Sequence, residues 1–125
     1  MDGHELKKRA KAFVLRAIRV VVALPRSPVG DVLGKQLLRS GTSVGANYRE
    51  ACRARSKAEF AAKAAISAQE ADESLYWLEL LADSGIVRRP LLADLQKEAN
   101  ELVAIFTSSV KTARQNNKDR KPPSE

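Results

Sequence analysis

Apolar residues recur along this chain at the three-and-four spacing of an amphipathic helix, in four segments set apart by proline, glycine or a capping serine. Over about 5–24, Leu6, Ala10, Phe13, Val14, Ala17, Val21 and Leu24 fall on one stripe. Pro25 has no amide hydrogen to continue that helix, and Ser27 followed by Pro28 reads as a cap with proline in the first turn. A second helix over about 29–54 then carries Val29, Leu33, Leu37, Ser40, Val44, Tyr48 and Ala51. A third, over about 56–84, opens on the capping-box pair Ser56 and Glu59, whose carboxylate is expected to reach the Ser56 amide, and closes on Gly85. The fourth, over about 90–114, places Leu92, Leu95, Ala99, Leu102, Phe106, Val110 and Ala113 at core spacing.

The third segment organises the rest. It has no internal Pro or Gly, and its first half is mostly small residues, with seven alanines between Ala58 and Ala71. Its second half carries Leu75, Tyr76, Trp77, Leu78, Leu80 and Leu81 on more than one face, so burial on several sides is expected, against helices of the same chain and against another subunit. In the second segment Gly34, Gly41 and Gly45 weaken a helix by about 1 kcal/mol each relative to alanine. They predict a kink near Gly41–Gly45 and a close crossing by a neighbouring backbone. No strand-like alternation is present, and short connections predict an all-α, antiparallel up-down-up-down four-helix bundle over residues 1–114. Residues 115–125, QNNKDRKPPSE, offer nothing to bury and read as a disordered basic tail.

Charge refines this picture. The net +7 is unevenly spread: +9 over residues 1–63, −5 over 64–104 and +3 over 105–125. Such polarity suits phosphate-rich partners, an acidic protein, or self-association through opposite charges. The lone Cys52 cannot form an internal bridge, which fits a reducing cytoplasm. The apolar run near the N-terminus is interrupted by Arg16 and Arg19, so neither a signal peptide nor a membrane span is expected.

Catalytic chemistry finds little support in the residue set. GTSVGANYR lacks the order of a phosphate loop, and Ser43 and Asn47 within it are expected to make a bond back to a helical carbonyl and an inter-helix bond respectively. The only histidine is His4, so a di-iron site cannot be assembled, and no metal or cofactor is expected. Cys52 has cationic neighbours but no base nearby in sequence, and a buried, inert thiol is expected. Glu70, Asp72, Glu73, Glu79 and Asp83 read as a solvated or inter-subunit acidic face, and no enzymatic activity is expected. Candidate nucleic-acid contacts are Lys8, Lys11, Arg16 and Arg19 from the first helix and Arg49, Arg53, Arg55 and Lys57 around the second-helix exit. Lys111, Arg114, Lys118, Arg120 and Lys121 form a third basic group. The same basic helix face is open to a plainer reading as solvated surface, or to contact with an anionic membrane surface. Tyr48, Tyr76 and Trp77 are better placed as core or interface residues than as base-stacking ones.

The stretch LPRSPVGDVLGKQLLRSGTSVGANYREACRARSKAEF, with SAQEADESLYWLELLADSGIV beyond it, resembles the small bacterial four-helix-bundle proteins found as reading frames inside intervening sequences of 23S ribosomal RNA genes. Leu38, Arg39, Ser43, Asn47 and Glu50 match that family's second-helix pattern; Ser56, Glu59 and Phe60 match the opening of its third helix; Glu70, Leu75, Leu78 and Gly85 match the later part of that helix and its terminating glycine. Gly45 stands where a proline usually falls, and Tyr48, Arg49 and Ala51 depart in the following triplet. The resemblance implies a ring-shaped homo-oligomer, a homopentamer in known relatives. One branch serves as accessory protein of diversity-generating retroelements, binding nucleic acid and a reverse transcriptase. The reading is a non-enzymatic, cytoplasmic oligomer offering a basic surface to RNA, DNA or a nucleic-acid–protein complex; the alternative is a scaffold for a protein partner with no nucleic-acid role.

Overall fold

The computed structural model describes residues 1–119, with side chains through residue 116, and contains four helices: α1 Gly3–Ala23, α2 Pro28–Cys52, α3 Lys57–Asp83 and α4 Arg89–Asp119. No strand occurs among the described residues. Local chemistry sets the boundaries. The Asp2 carboxylate accepts from the Glu5 amide, Ser27 Oγ from the Gly30 amide and Ser56 Oγ from the Glu59 amide, each satisfying a donor the helix leaves open. The capping box at α3 differs by one residue from expectation, because Glu59 Oε2 accepts from the amide of Arg55 at 3.0 Å and not from that of Ser56. Gly85, with φ +79°, is the only positive-φ residue among those described, and it turns the chain out of α3.

One expectation about chain course is corrected. The fourth helix does not stop at 114: residues 115–119 continue it to Asp119, since no proline intervenes before Pro122 and a solvated helix can propagate from a packed one. The remainder of the expected tail, 120–125, lies outside the described residues. In α2, Gly41 and Gly45 sit within one unbroken helix. The close crossing is present: a Cβ added at Gly41 would lie 3.2 Å from Ala17 Cβ, and one at Gly45 would lie 2.9 Å from Val14 Cγ2. These two glycines let α1 settle against the α2 backbone.

The helices form a ring in which α1 packs on α2, α2 on α3 and α3 on α4, with a narrower α1–α4 edge closing it; across the diagonal, helices meet through core side chains, as Tyr48 of α2 meets Phe106 of α4. Chain neighbours run antiparallel, as shown by Gly3 beside Tyr48 and Ala17 beside Gly41 on one seam, and by Ser67 beside Val44 and Ser74 beside Ser40 on the next. The interior is filled by Phe13, Leu37, Tyr48, Leu78, Leu81, Leu92, Leu102 and Phe106, with the Tyr48 and Phe106 rings 5.2 Å apart and Phe60 edge-on to Tyr48. Within α3 the fully buried positions make a single stripe, Ala61, Ala64, Ser67, Ala71, Ser74, Leu78 and Leu81. Leu75, Trp77 and Leu80 are half-buried on its flanks, while Ile66 and Tyr76 face outward, Tyr76 at 52% exposure. The rod is unbroken, but one chain alone does not bury it on every side.

Candidate nucleic-acid interface

The α1–α2 seam opens into a groove of about 570 Å³ where the helices part at the first turns of α1 and the last turns of α2. Val14, Gly45, Ala46 and Thr42 make its floor; Lys7, Lys8 and Lys11 rise from α1, Arg49 from α2 and Arg53 from the C-cap of α2. The glycine that brings the helices together also keeps the floor low. No carboxylate lines the groove, and none of its five cations has an ion-pair partner among the described residues. Like charges gathered without counter-charges raise the local potential and attract anions.

Three cations on the other seams are neutralised. Arg9, on the α4 side of α1, makes a two-pronged contact with Glu98 at 2.6 and 2.7 Å and reaches Glu101 at 3.2 Å. The hydrogen bond to Glu98 is the main reason its pKa is raised. Arg39 ties α2 to Glu70 and Glu73 of α3, and Lys63 binds Glu50 at 2.9 Å, which raises the lysine pKa.

Of the eight sequence-predicted contacts, the groove brings together Lys8, Lys11, Arg49 and Arg53. Arg55 and Lys57 line a separate cavity of about 950 Å³ at the end of the bundle, shared with Asp2, His4, Tyr48 and Cys52. Arg16 and Arg19 line neither. Lys7 completes the groove and was legible only as the i+4 partner of Lys11 on the edge of α1 that turns toward α2. In the end cavity the Tyr48 hydroxyl is held protonated to about pH 12, chiefly by burial and then by its neighbours Cys52 and Asp2. Cys52 itself is exposed, against expectation: Ala51 takes the inward position, and one further residue of helix rotation carries the thiol out.

The residues of the second-helix pattern have structural work. Arg39 and Glu70 form the inter-helix pair, Glu50 binds Lys63, and Asn47 Nδ2 donates to Ser43 O of its own helix at 2.9 Å instead of bridging helices. The inter-helix bonds come from serines: Ser67 Oγ donates to Val44 O at 3.0 Å, and the Ser74 and Ser40 hydroxyls lie 2.8 Å apart. Ser43 makes no back-bond, and Thr42 makes one instead, to Leu38 O at 2.7 Å. Among the described residues no three His, Cys, Asp or Glu side chains are grouped to hold a metal, and no helix is long and apolar enough to cross a membrane.

A closed ring of four helices with this second-helix pattern and a basic seam defines a small helical-bundle class. The sequence profile of the 23S rRNA-intervening sequence proteins matches residues 3–108, and the chain belongs to that family. No curated protein matches it. Among solved structures it is similar to a protein of unknown function from the S23 ribosomal protein family of Bacteroides thetaiotaomicron VPI-5482, with 35% identity and a TM-score of 0.82 over 89% of this chain and 99% of that one.

Proposed function

We propose that the protein is a non-enzymatic, cytoplasmic homo-oligomer that presents a basic surface to RNA, alone or within a nucleic-acid–protein complex. The observation that carries this reading is the α1–α2 groove, where five cations gather without a carboxylate, while Arg9, Arg39 and Lys63 on the other seams are each paired. Self-association is supported by the outward Ile66 and Tyr76 beside half-buried Trp77 and Leu80 on α3, apolar surface that another copy would cover. A pentamer rests on family resemblance, as does a reverse transcriptase as the class of protein partner. Fluorescence anisotropy with a structured RNA across a salt series tests the first part; saturable binding that weakens with salt is expected, and no binding at low salt refutes it. Native mass spectrometry tests the second, where a monomer at micromolar concentration ends the ring.

A second reading, a scaffold for a protein partner, is favoured by a different surface. Val22, Val29, Val32 and Leu91 lie near the same end of the bundle, each more than half exposed. It predicts a co-purifying polypeptide lost on Val32→Lys, with no nucleic-acid affinity.

A further inference from the structure

The form of the groove says more than its charge. Lys7 to Lys11 on α1 and Arg49 to the C-cap Arg53 of α2 each span four residues, about 6 Å of helix rise. The two cationic rims are therefore short and face each other across a narrow floor. The lining contains no aromatic residue and no amide or carboxylate side chain. Its only hydroxyl, on Thr42, already donates to Leu38 O at 2.7 Å. The groove offers a base no aromatic platform, and its two arginines, which could stack on a base or bond to guanine, stand opposite lysines in two rows of the kind that grips phosphates, which carry no sequence information.

Resting on the RNA-binding reading above, we propose that the α1–α2 groove seats the sugar-phosphate backbone of one single strand, bases turned outward, with neither sequence nor 2′-hydroxyl discrimination. A volume of about 570 Å³ admits a short run of one strand between the rims. A duplex is excluded from the floor and meets only the tips of the long side chains. Readers of double-stranded RNA cover about 16 base pairs across two minor grooves, a reach these two short rims do not have. A strand held in this manner keeps its base edges free for pairing with a second strand.

The test is anisotropy with fluorescent 12-nucleotide oligo-U, oligo-A, oligo-dT and a 12-base-pair RNA duplex, titrated with the full chain between 50 and 200 mM salt. At about −0.7 per phosphate neutralised on a single strand, the five cations set a limit of about −3.5 on the slope of log affinity against log salt. Oligo-U, oligo-A and oligo-dT bind within threefold of one another, and the duplex more weakly. The double substitution Arg49→Gln/Arg53→Gln shrinks the slope, bringing its limit to about −2, and lowers affinity on the order of tenfold at the lowest salt. The control Arg16→Gln/Arg19→Gln, outside the groove, leaves both unchanged, and circular dichroism confirms that both variants are folded. Strand binding unaffected by the groove substitution overturns this inference while leaving the RNA-binding reading intact. Tighter binding to the duplex, or a tenfold preference among the strands, overturns it likewise. Absence of binding to any of the four probes removes both.

Discussion

One helix, α2, has two sides built on different terms. Toward α1 it presents Gly34, Gly41 and Gly45, so contact is backbone to side chain without polar groups between, and the cations at the exposed end of that seam are left unpaired. Toward α3 it presents Ser40 and the Val44 carbonyl, bonded to Ser74 and Ser67, and its charges Arg39 and Glu50 are matched by Glu70, Glu73 and Lys63. A buried hydroxyl is tolerated only when its hydrogen bond is made, so the α3 side is specified by partner and register. The α1 side is specified by shape. The difference separates tasks: one seam holds the bundle in register, and the other carries surface charge that contributes nothing to holding it.

The comparison breaks first at the glycines. Gly41→Leu pushes a branched side chain toward Ala17, whose Cβ lies 3.2 Å from where a Cβ would sit. Overpacking of about 3 kcal/mol outweighs the roughly 1 kcal/mol of helix propensity regained, a net loss of about 2 kcal/mol. Gly41→Ala brings these terms close to balance. Urea unfolding with an unchanged m-value reads both, and a tolerated leucine shows that α1 and α2 are not closely engaged.

The serine side comes next. Ser74→Ala takes a partner from buried Ser40 and costs about 1 kcal/mol, whereas removing both hydroxyls with Ser40→Ala/Ser74→Ala costs less than the sum of the single changes. Full additivity in this cycle means that the two hydroxyls act separately. None of the three serines, Ser40, Ser67 and Ser74, was legible as a polar contact from sequence. Ser40 sat on the apolar stripe of α2, Ser67 and Ser74 sat among the small residues of α3, and pairing them needs the register of two helices packed together. By contrast, the helix limits rested on chemistry within a few residues, such as Ser56 with Glu59 or the conformation available to Gly85, and those signals survive without tertiary context. Asn47 and Cys52 mark the boundary of that legibility. Each lies one rotation away from the face assumed for it, Asn47 turned back on its own helix and Cys52 turned out to solvent.

Charges at the two seams give a smaller but more discriminating effect. Arg39→Met removes the link to Glu70 and Glu73, partly exposed carboxylates, and is expected to cost about 0.5–1 kcal/mol, less at high salt because such pairs are screened. A loss independent of salt identifies packing by the arginine stem, not its charge, as the contribution.

At the groove the sign reverses. Lys7, Lys8, Lys11, Arg49 and Arg53 repel one another without compensation from a carboxylate in the lining, so neutralising two of them removes a small unfavourable term. Arg49→Gln/Arg53→Gln therefore leaves stability within about 0.5 kcal/mol of the parent or raises it slightly, as expected for exposed positions that make no specific contact. Salt separates the two seams further. Raising ionic strength from 0.01 to 0.15 M shortens the screening length from about 30 to about 8 Å, which relieves repulsion at the groove and weakens attraction at Arg39. The parent-minus-variant stability difference should thus shrink with salt for both substitutions, from opposite signs. If the groove pair instead proves as costly to remove as Arg39, these cations are holding α1 to α2, and the division between a seam that binds the bundle together and a seam left open for an anion does not exist.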